Sequence, residues 1–492
     1  MAPLPSGFIE RVIGIAGGPF VLRDPSALSS YGADALKLDH PADLVVLPAN
    51  TAEISQLAVL CDRERVPLVV RGGGTGYTGG AVPLRGGMVM SLERMNRIIE
   101  IDQLNLLARV QPNVVTGDLQ DAVERVGLFY PPDPASLRQS AIGGNVAECA
   151  GGPRAFKYGT TKRYVLALEA VLPTGEIIHT GSKAVKSVVG YDLTQLLVGS
   201  EGTLAIVTEI TLRLIPKPAS HATLLAEFSN IGAAVDAVTR LIQLRVVPAA
   251  IEVIDSDSLN ALAEHAGKAL VASGTGAAVL IEVDGSSEAV EEEISLVDKA
   301  CRDAKALAIR HAGGDVEREA LWHLRRELSP ALKKISPVKL NNDVVVPRGR
   351  VPQLFQLVDD LRRESGLPIA CFGHAGDGNI HVNIMVPQQE GQTAAAYATA
   401  MAARRSAERE GGRAEGRGQD DLMDVARDAE RRLFEGVVAL EGSISGEHGI
   451  GFTKARYLGL ELSADEIALM KRVKAAFDPH GILNPGKIFP DG

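Results

Sequence analysis

The stretch VVRGGGTGYTGG, residues 69–80, follows a short apolar run, and six of its twelve residues are glycine. Loops this rich in glycine let backbone N–H groups approach a phosphate closely. No Gly-Lys-Ser/Thr follows, which argues against a P-loop, and the next residues, GGAVPLRGG (79–87), do not predict the helix of a Rossmann fingerprint. The stretch therefore predicts either a phosphate-binding loop of another type or a flexible hairpin loop.

Two further segments of the same region are irregular and rich in glycine or small residues. Residues 130–159 show little apolar periodicity, and residues 199–202, GSEG, form a predicted turn before a strand. Long irregular segments inside a compact domain are usually functional. Together with the glycine loop, these segments are suited to wrap a large ligand.

The residues around these segments alternate between short apolar β-branched runs and helical patterns. Residues 50–65 predict a helix with Asn50 or Thr51 as its N-cap, because apolar residues recur on one face. Residues 164–181 predict a β-hairpin with Pro-Thr-Gly as its turn. These patterns predict an α+β domain from about residue 42 to 218.

The pattern changes near residue 219. Strand, helix and strand signals in residues 221–255 are followed by the same order of signals in residues 277–312. This order predicts a second α+β domain, with an antiparallel sheet covered by helices. Residues 388–423 are rich in alanine, glycine and charge, and they predict a mobile surface insertion.

The bulk composition argues against several classes of protein. The chain has 492 residues and a net charge of −10, which argues against a nucleic-acid surface. Its four cysteines form no CxxC pair, which predicts free thiols in a reducing compartment. No apolar run approaches the roughly 18 residues of a membrane span, and charges near the start argue against a secretory signal. The composition therefore predicts a cytoplasmic protein.

A second cluster of polar residues lies far from the glycine loop. The stretch CFGHAGDGNIHVNI, residues 371–384, holds His374 and His381 on either side of a Gly-Asp-Gly turn, which would bring the two imidazoles together. Two imidazoles on rigid strands suit a divalent metal. The spacing alone is equally compatible with a hairpin whose histidines have no function. The later stretch SGEHGIG adds Glu447, a carboxylate that could complete a metal site, and His448.

Seven motifs occur in an order that resembles one family: RGGGTGYTGG, PPDPASLRQSAIGGNVAECAGG, KYGTT, GSEGTLAIVTE, GHAGDGNIH, SGEHGIG and FDPHGILNPGK. Over roughly residues 40–490 the chain resembles the FAD-linked D-2-hydroxy acid dehydrogenases of the vanillyl-alcohol oxidase superfamily. Among them are the glycolate oxidase catalytic subunit, cytochrome-type D-lactate dehydrogenase and D-2-hydroxyglutarate dehydrogenase.

The resemblance implies a fold and a division of the chain. The expected fold is α+β: a two-subdomain FAD-binding domain of vanillyl-alcohol oxidase type plus an α+β cap domain with an antiparallel sheet. The expected parts are an N-terminal segment (1–41), the FAD-binding domain (42–218), a substrate or cap domain (219–440) and a C-terminal segment that returns to the FAD domain and active site (441–492).

The resemblance also implies where FAD binds. Some relatives join flavin covalently to a histidine in the glycine loop, and this loop has none, so noncovalent FAD is expected. The residues expected at the pyrophosphate are Gly72, Gly73, Gly74, Thr75, Gly76, Gly79 and Gly80. Those expected along the flavin are Pro132, Asp133, Ser136, Gly143, Gly144, Asn145, Gly151, Gly152, Tyr158 and Gly159. Those expected at the adenosine half are Glu201, Gly202 and Ile206, and Asn484 is a further expected cofactor residue.

The same resemblance assigns the chemistry. It implies that His374, His381 and Glu447 bind Zn²⁺, with Mn²⁺ or Fe²⁺ as alternatives. His448 is the expected general base, since imidazole exchanges protons near neutral pH. The residues expected to hold the substrate carboxylate are Arg325, Ser329, Lys339 and Asn383. A relative has threonine where Ser329 stands.

The predicted function is FAD-dependent oxidation of a D-2-hydroxy acid to a 2-oxo acid, with D-lactate or glycolate favoured and D-2-hydroxyglutarate next. The expected electron acceptor is a quinone, a cytochrome or an electron-transfer flavoprotein, which would place the protein in the cytoplasm or at the periphery of the inner membrane. A homodimer is compatible with this prediction. The alternatives are a metal-free alcohol or sugar oxidase, a flavin-binding subunit of a multi-subunit glycolate oxidase and a nicotinamide-dependent dehydrogenase, which the poor Rossmann context disfavours.

Overall fold

The computed structural model describes residues 3–38, 40–267, 271–336, 338–386 and 419–489. As far as Pro216 its helices and strands are, in order, α1 (Phe8–Ala16), β1 (Val21–Leu22), α2 (Pro25–Tyr31), β2 (Leu44–Val46), α3 (Thr51–Glu64), β3 (Leu68–Arg71), β4 (Met88–Ser91), β5 (Ile98–Asp102), β6 (Leu107–Val110), α4 (Thr116–Glu124), β7 (Leu128–Phe129), α5 (Ile142–Glu148), α6 (Ala155–Tyr158), β8 (Val165–Val171), β9 (Ile177–Gly181), α7 (Leu193–Leu197), β10 (Ile206–Arg213) and β11 (Ile215–Pro216).

The elements that follow are β12 (Ser220–Phe228), α8 (Ile231–Gln243), β13 (Ala250–Asp255), α9 (Ser256–Ala266), β14 (Ala277–Gly285), α10 (Ser287–Asp303), β15 (Ala308–His311), α11 (Asp315–Arg326), α12 (Leu328–Ile335), β16 (Lys339–Val345), α13 (Val351–Ser365), β17 (Ile369–His374), β18 (Asn379–Met385), α14 (Gln419–Ala439), α15 (Leu458–Glu461) and α16 (Ala464–Phe477). Of the predicted insertion 388–423, residues 388–418 lie outside the described residues, and 419–423 begin α14. Within the described ranges, no helix is both long and apolar enough to cross a bilayer.

The chain forms two compact units. Unit 1 comprises Met1–Gly152, Gly159–Lys217 and Glu447–Gly492, and unit 2 comprises Pro153–Tyr158 and Pro218–Gly446. Each unit is therefore assembled from segments that are distant in the sequence.

Among the described residues unit 1 contains three sheets, of which one is the short antiparallel pair β7–β11 and two are larger. The first has the order β1-β2-β4-β3, and β2, β4 and β3 are parallel to one another. The second has the order β5-β6-β10-β8-β9 and is antiparallel throughout. The C-terminal tail joins the first sheet, since the Leu68 N–H donates to the Ile482 carbonyl and the Asn484 N–H donates to the Leu68 carbonyl, both at 2.8 Å. The tail thus runs beside β3, the strand that leads into the glycine loop.

Local sequence signals explain two elements of unit 1. The predicted helix is confirmed as α3, and Asn50 caps it by accepting a hydrogen bond from the Glu53 N–H at 3.0 Å. Ile54 and Leu57 of this helix are fully buried in the core. The hairpin predicted for residues 164–181 is confirmed as the antiparallel pair β8–β9.

Unit 2 is built on a seven-stranded sheet of order β15-β12-β14-β13-β17-β18-β16, and all of its pairs are antiparallel. Helices α9, α11 and α12 pack on one face of this sheet, where Leu259, Trp322 and Leu332 join the strand residues Leu280 and Phe372 in one apolar cluster. Because side chains alternate along a strand, every second residue of each strand faces these helices. The polar strand residues of the candidate site point to this same face of the sheet.

Candidate functional site

The glycine loop packs tightly against its neighbours in unit 1. A Cβ atom at Gly73 would lie 2.5 Å from the Gln139 carbonyl oxygen, so this close approach requires glycine. The Asp34 carboxylate accepts a hydrogen bond from the Gly79 N–H at 2.9 Å and so fixes the end of the loop. No local sequence pattern singles out Asp34, which lies in the segment before the predicted domain.

The surroundings of the loop fit a large ligand with hydrogen-bond donors, as FAD is. The buried Asn113 Oδ1 has no hydrogen-bond partner among the described residues, and it lies 4.0 Å from where a Cβ of Gly72 would be. A buried polar atom left unsatisfied is costly, which favours a ligand donor at this point. Added Cβ atoms at Gly76 or Gly144 would meet nothing within 4 Å, so the backbone faces open space there. The residues present therefore fit the group that the sequence implies.

The other predicted cofactor residues, apart from Tyr158, also belong to unit 1. Tyr158 belongs to unit 2, where its hydroxyl donates to the Asp284 carboxylate at 2.8 Å. The Asn145 side chain donates to the Thr116 hydroxyl at 2.7 Å, and the Ile206 side chain packs in the apolar core. Asn484 joins two parts of the predicted site, since its amide donates to the carbonyls of Gly80 at 3.0 Å and Glu201 at 2.9 Å.

The loop that carries His448 is anchored to unit 1 from two sides. The Glu201 carboxylate accepts hydrogen bonds from the backbone N–H groups of Ile450 at 2.8 Å and Gly451 at 2.6 Å. The Thr78 hydroxyl donates to the His448 carbonyl at 3.2 Å, and the imidazole of His448 lies 5.4 Å from the Tyr77 ring. The glycine loop and the His448 loop are therefore one connected structure, and the Glu201 side chain fixes the second of them.

Buried charge surrounds this connection. Burial raises the pKa of Glu201, although the two backbone N–H groups oppose the rise. Burial and the neighbouring Glu201 raise the pKa of Glu148 well above its ordinary value. Burial also lowers the pKa of Lys487 to about 8, although nearby carboxylates oppose that change. Burial therefore disfavours the charged form of all three side chains beside the His448 loop.

In unit 2 the strand register brings the two predicted histidines together. The predicted hairpin is confirmed as β17–β18, and the rings of His374 and His381 lie 5.2 Å apart at an angle of 84°. A ligand nitrogen of one ring lies within 4.8 Å of a ligand nitrogen of the other. The turn between them needs Gly378, which has φ +85°, because a Cβ there would lie 2.0 Å from the Val346 carbonyl oxygen.

Each of these histidines lies directly across the ladder from an acid. The register pairs His374 with Glu252 on β13 and His381 with Asp343 on β16. The His374 Nδ1 lies 2.5 Å from the Glu252 carboxylate, and the His381 Nδ1 lies 3.8 Å from that of Asp343. Only the first of these distances is a hydrogen bond. Histidines that bind metals usually engage a carboxylate through their second nitrogen, as His374 does, and present the other nitrogen to the ion. The donor set of the sheet therefore fits a divalent metal.

The predicted carboxylate-binding residues lie in the same unit. Arg325 contacts Glu252 through Nε, and its guanidinium carbon lies 4.7 Å from the centre of the Phe372 ring. The Lys339 ammonium donates to the Asn383 carbonyl oxygen at 3.0 Å and lies 3.5 Å from the Ser329 hydroxyl. Burial lowers the pKa of Lys339 to about 8, and Lys333 adds to the shift. A buried guanidinium from α11 and a partly buried ammonium on β16 thus accompany the histidine pair in unit 2.

Glu447 stands where the chain passes from unit 2 into unit 1. The preceding residue, Gly446, is the last of unit 2, and its N–H donates to the Asp343 carboxylate at 3.0 Å. Within unit 1, the Glu447 carboxylate would lie 2.9 Å from a Cβ of Gly151, so glycine leaves room for it.

Glu252 and Asp343 were not selected from the sequence, although a signal was present. Glu252 interrupts the apolar run AAIEVID, and Asp343 precedes VVV in NNDVVV. Both are fully buried. A charge inside an otherwise apolar strand is rare unless it is paired, and such a charge marks a candidate contact to a buried base.

Comparisons with known proteins show the family of this chain. Residues 42–181 match the FAD binding domain, and residues 217–488 match the C-terminal domain of FAD linked oxidases. The chain is 42% identical to the glycolate oxidase subunit GlcD of Bacillus subtilis, over 98% of this chain and 96% of that protein. It is 34% identical to a D-lactate dehydrogenase of Anaerostipes hadrus, over 91% and 89% of the two chains. It is 32% identical to a D-2-hydroxyglutarate dehydrogenase of Stutzerimonas stutzeri, over 95% and 96%.

The solved structure of p-cresol methylhydroxylase has the same fold, with a TM-score of 0.78 and 16% identity over 100% of this chain and 99% of that chain. At that identity the likeness concerns the fold alone. The second family match spans more than half of the chain, and relatives match along nearly its whole length. The chain is therefore an FAD-linked oxidoreductase that belongs to the FAD-linked oxidase family and has the α+β fold of the vanillyl-alcohol oxidase superfamily.

Proposed function

We propose that this enzyme oxidises a D-2-hydroxy acid, with D-lactate or glycolate as the favoured substrate, to the 2-oxo acid with noncovalent FAD and a divalent metal, Zn²⁺ first. The observation that carries the proposal is the row of polar side chains on one face of the unit 2 sheet. There two imidazoles, each opposite a buried carboxylate, lie on the sheet with Lys339 of β16, and Arg325 of α11 contacts Glu252 from the helices packed on that face. A metal with cations beside it suits a substrate whose hydroxyl and carboxylate are neighbours.

The proposed roles follow from these residue types. His374, His381 and Glu447 would hold the metal, and the glycine loop with Asn113 would hold the FAD. When bound, the metal lowers the pKa of the hydroxyl it contacts and the FAD accepts the α-hydrogen as hydride.

The chain's own groups would then orient the substrate and move its proton. Arg325 offers the guanidinium nitrogens that Glu252 does not occupy to the substrate carboxylate. Lys339, held by Asn383, offers a second cation. His448, on its anchored loop, would accept the hydroxyl proton as general base.

The names of two relatives support two refinements of this proposal. The Bacillus subtilis protein is named as a subunit, which supports a role for this chain as the flavin-bearing subunit of a larger glycolate oxidase. The relative from Stutzerimonas stutzeri is named for D-2-hydroxyglutarate, which makes a longer, dicarboxylic substrate the second candidate. In each case electrons would pass to a quinone, a cytochrome or an electron-transfer flavoprotein.

An anaerobic substrate panel tests the proposal directly. D-lactate or glycolate is expected to bleach the flavin absorbance of the purified enzyme in a stopped-flow spectrometer. L-lactate should act at least about 10²-fold more slowly, because the wrong enantiomer misplaces the α-hydrogen by an ångström or more. The same panel includes D-2-hydroxyglutarate. Failure of every 2-hydroxy acid to reduce the flavin would overturn the proposal, and bleaching by a simple alcohol alone would favour a metal-free alcohol oxidase.

A pH dependence should follow from the burial of Lys339. Since its pKa is lowered to about 8, the ammonium form that attracts a carboxylate is present below that pH and is lost above it. The KM for the hydroxy acid is therefore expected to rise above pH 8, by up to about tenfold per pH unit. Lys339→Arg should move this rise out of the measurable range, because guanidinium keeps its proton. The exposed Lys334→Arg is the matched control. A KM profile that stays flat to pH 10 in the parent enzyme would remove Lys339 from substrate binding.

A further inference from the structure

Glu252 is a buried acid in the centre of the unit 2 sheet that serves two functional side chains at once. Its side chain is fully buried on β13. One carboxylate oxygen lies 2.5 Å from the His374 Nδ1, and the other contacts the Arg325 Nε. A single side chain therefore connects the predicted metal-binding imidazole with the predicted carboxylate-binding guanidinium.

Each contact restricts the orientation of the side chain that Glu252 binds. With Nδ1 of His374 directed at Glu252, Nε2 is the nitrogen that would bind a metal. With Nε of Arg325 bound to the other oxygen, the terminal nitrogens remain for a ligand. The Arg325 guanidinium also lies over the Phe372 ring, 4.7 Å from its centre, so its plane is held from two directions.

The charge of Glu252 matches this double contact. Its two neighbours are a guanidinium and an imidazole, one at each carboxylate oxygen. An ionised carboxylate accepts hydrogen bonds at both oxygens, whereas a glutamine has one acceptor oxygen and one donor nitrogen. Only the carboxylate satisfies both neighbours.

We propose that Glu252 is a positioning residue that aligns the metal ligand His374 and the carboxylate-binding Arg325 together, so that one side chain sets both the metal affinity and the grip on the substrate carboxylate. The inference rests on the proposed function, since it needs a metal at His374 and a carboxylate at Arg325. Glu252 itself touches neither.

The same sheet supplies a matched control. Glu282, on β14, is also buried, and its carboxylate is bound by Arg318 at 2.7 and 2.8 Å and by the Trp322 indole N–H at 2.7 Å. It resembles Glu252 in burial and in its arginine partner, but its partners are not predicted site residues. Replacement of either glutamate by glutamine breaks a buried charge pair and should lower the free energy of unfolding. Only the replacement of Glu252 should also change the metal affinity and the substrate binding.

The experiment compares Glu252→Gln, Glu252→Asp and Glu282→Gln in the full-length flavoprotein. Zn²⁺ affinity is measured by competition with a chromophoric chelator, without substrate, and KM and kcat are measured with the best substrate of the anaerobic panel. In Glu252→Gln we expect Zn²⁺ affinity to fall about 10–100-fold, and KM to rise about tenfold because the guanidinium loses its anchor. Glu282→Gln should match the parent in both, and Glu252→Asp, one methylene shorter, should lose one of the two contacts.

The outcomes separate the inference from the function on which it rests. A parent enzyme that binds no Zn²⁺ would overturn the metal part of the proposed function and this inference with it. A parent that binds Zn²⁺, with unchanged affinity and KM in Glu252→Gln, would overturn the inference alone, as would equal changes in Glu282→Gln. If Glu252→Gln does not fold, Glu252→Asp decides: parental Zn²⁺ affinity and KM in that variant would contradict the proposed double contact.

Discussion

Replacement of His448 by alanine is expected to leave FAD bound and to slow its reduction by the hydroxy acid about 10²–10⁴-fold, the usual contribution of a general base. The imidazole is the predicted acceptor of the hydroxyl proton, and alanine cannot take that proton. The effect should appear in kcat as well as in kcat/KM, because a base acts in the transition state more than in substrate binding. Anaerobic stopped-flow reduction of the bound flavin measures this step without the electron acceptor.

The structure explains why the flavin should remain. The contacts that fix the His448 loop are made by its backbone: the carbonyl accepts from the Thr78 hydroxyl, and the following N–H groups donate to Glu201. Removal of the imidazole leaves these contacts in place. The glycine loop, with its own anchor at Asp34, is likewise unchanged.

His480→Ala is the matched control for this variant. It lies in the same C-terminal segment of unit 1, and its imidazole contacts the Asp62 carboxylate at 2.7 Å. Its flavin reduction should equal that of the parent. Parental rates in His448→Ala would exclude this residue as the base, and loss of the yellow colour would show that it holds the cofactor instead.

Removal of the divalent metal should abolish turnover and leave the protein yellow. A metal that binds the substrate hydroxyl supplies several kcal/mol of transition-state stabilisation, so its loss should cost at least about 10²–10³-fold in rate. Dialysis against dipicolinate, followed by metal analysis and a rate measurement, tests this. Addition of Zn²⁺ should restore the rate, and parallel additions of Mn²⁺ and Fe²⁺ identify the working ion.

His381→Ala should reproduce the metal-free enzyme, because one of two neighbouring imidazole ligands is gone. His311→Ala is its control, since His311 lies on the edge strand β15 of the same sheet and contacts Asp298 at 3.0 Å. That variant should keep its metal and its rate. Full activity after verified metal removal would rule out metal assistance and favour a metal-free flavin oxidase.

Several features of the protein were predictable because they depend on short spacings in the sequence. The cap and apolar face of α3 lie within one helix, so residues 50–65 suffice to specify it. The proximity of the His374 and His381 rings follows from a turn of a few residues between two β-strands. The ordered glycine motifs likewise predicted the family and the fold, since each requires only a local backbone shape.

Other features depend on register between distant segments, which local spacing does not specify. Glu252 and His374 are 122 residues apart, and they meet because β13 and β17 pair in one register among many. A shift of one residue would turn every side chain of a strand to the opposite face. The same holds for Glu201 and Ile450 of the His448 loop, which are 249 residues apart and meet through a side-chain to backbone hydrogen bond.

The sequence by itself determined the family, the helix and hairpin signals and the residue types of the chemistry, because these are encoded within a few residues of one another. The tertiary structure alone decided which buried carboxylates face the histidines, which side chains fix the two loops and that Tyr158 belongs to the second unit. The physical reason is that a buried charge is stable only beside its partner, and chain folding, not sequence distance, selects that partner.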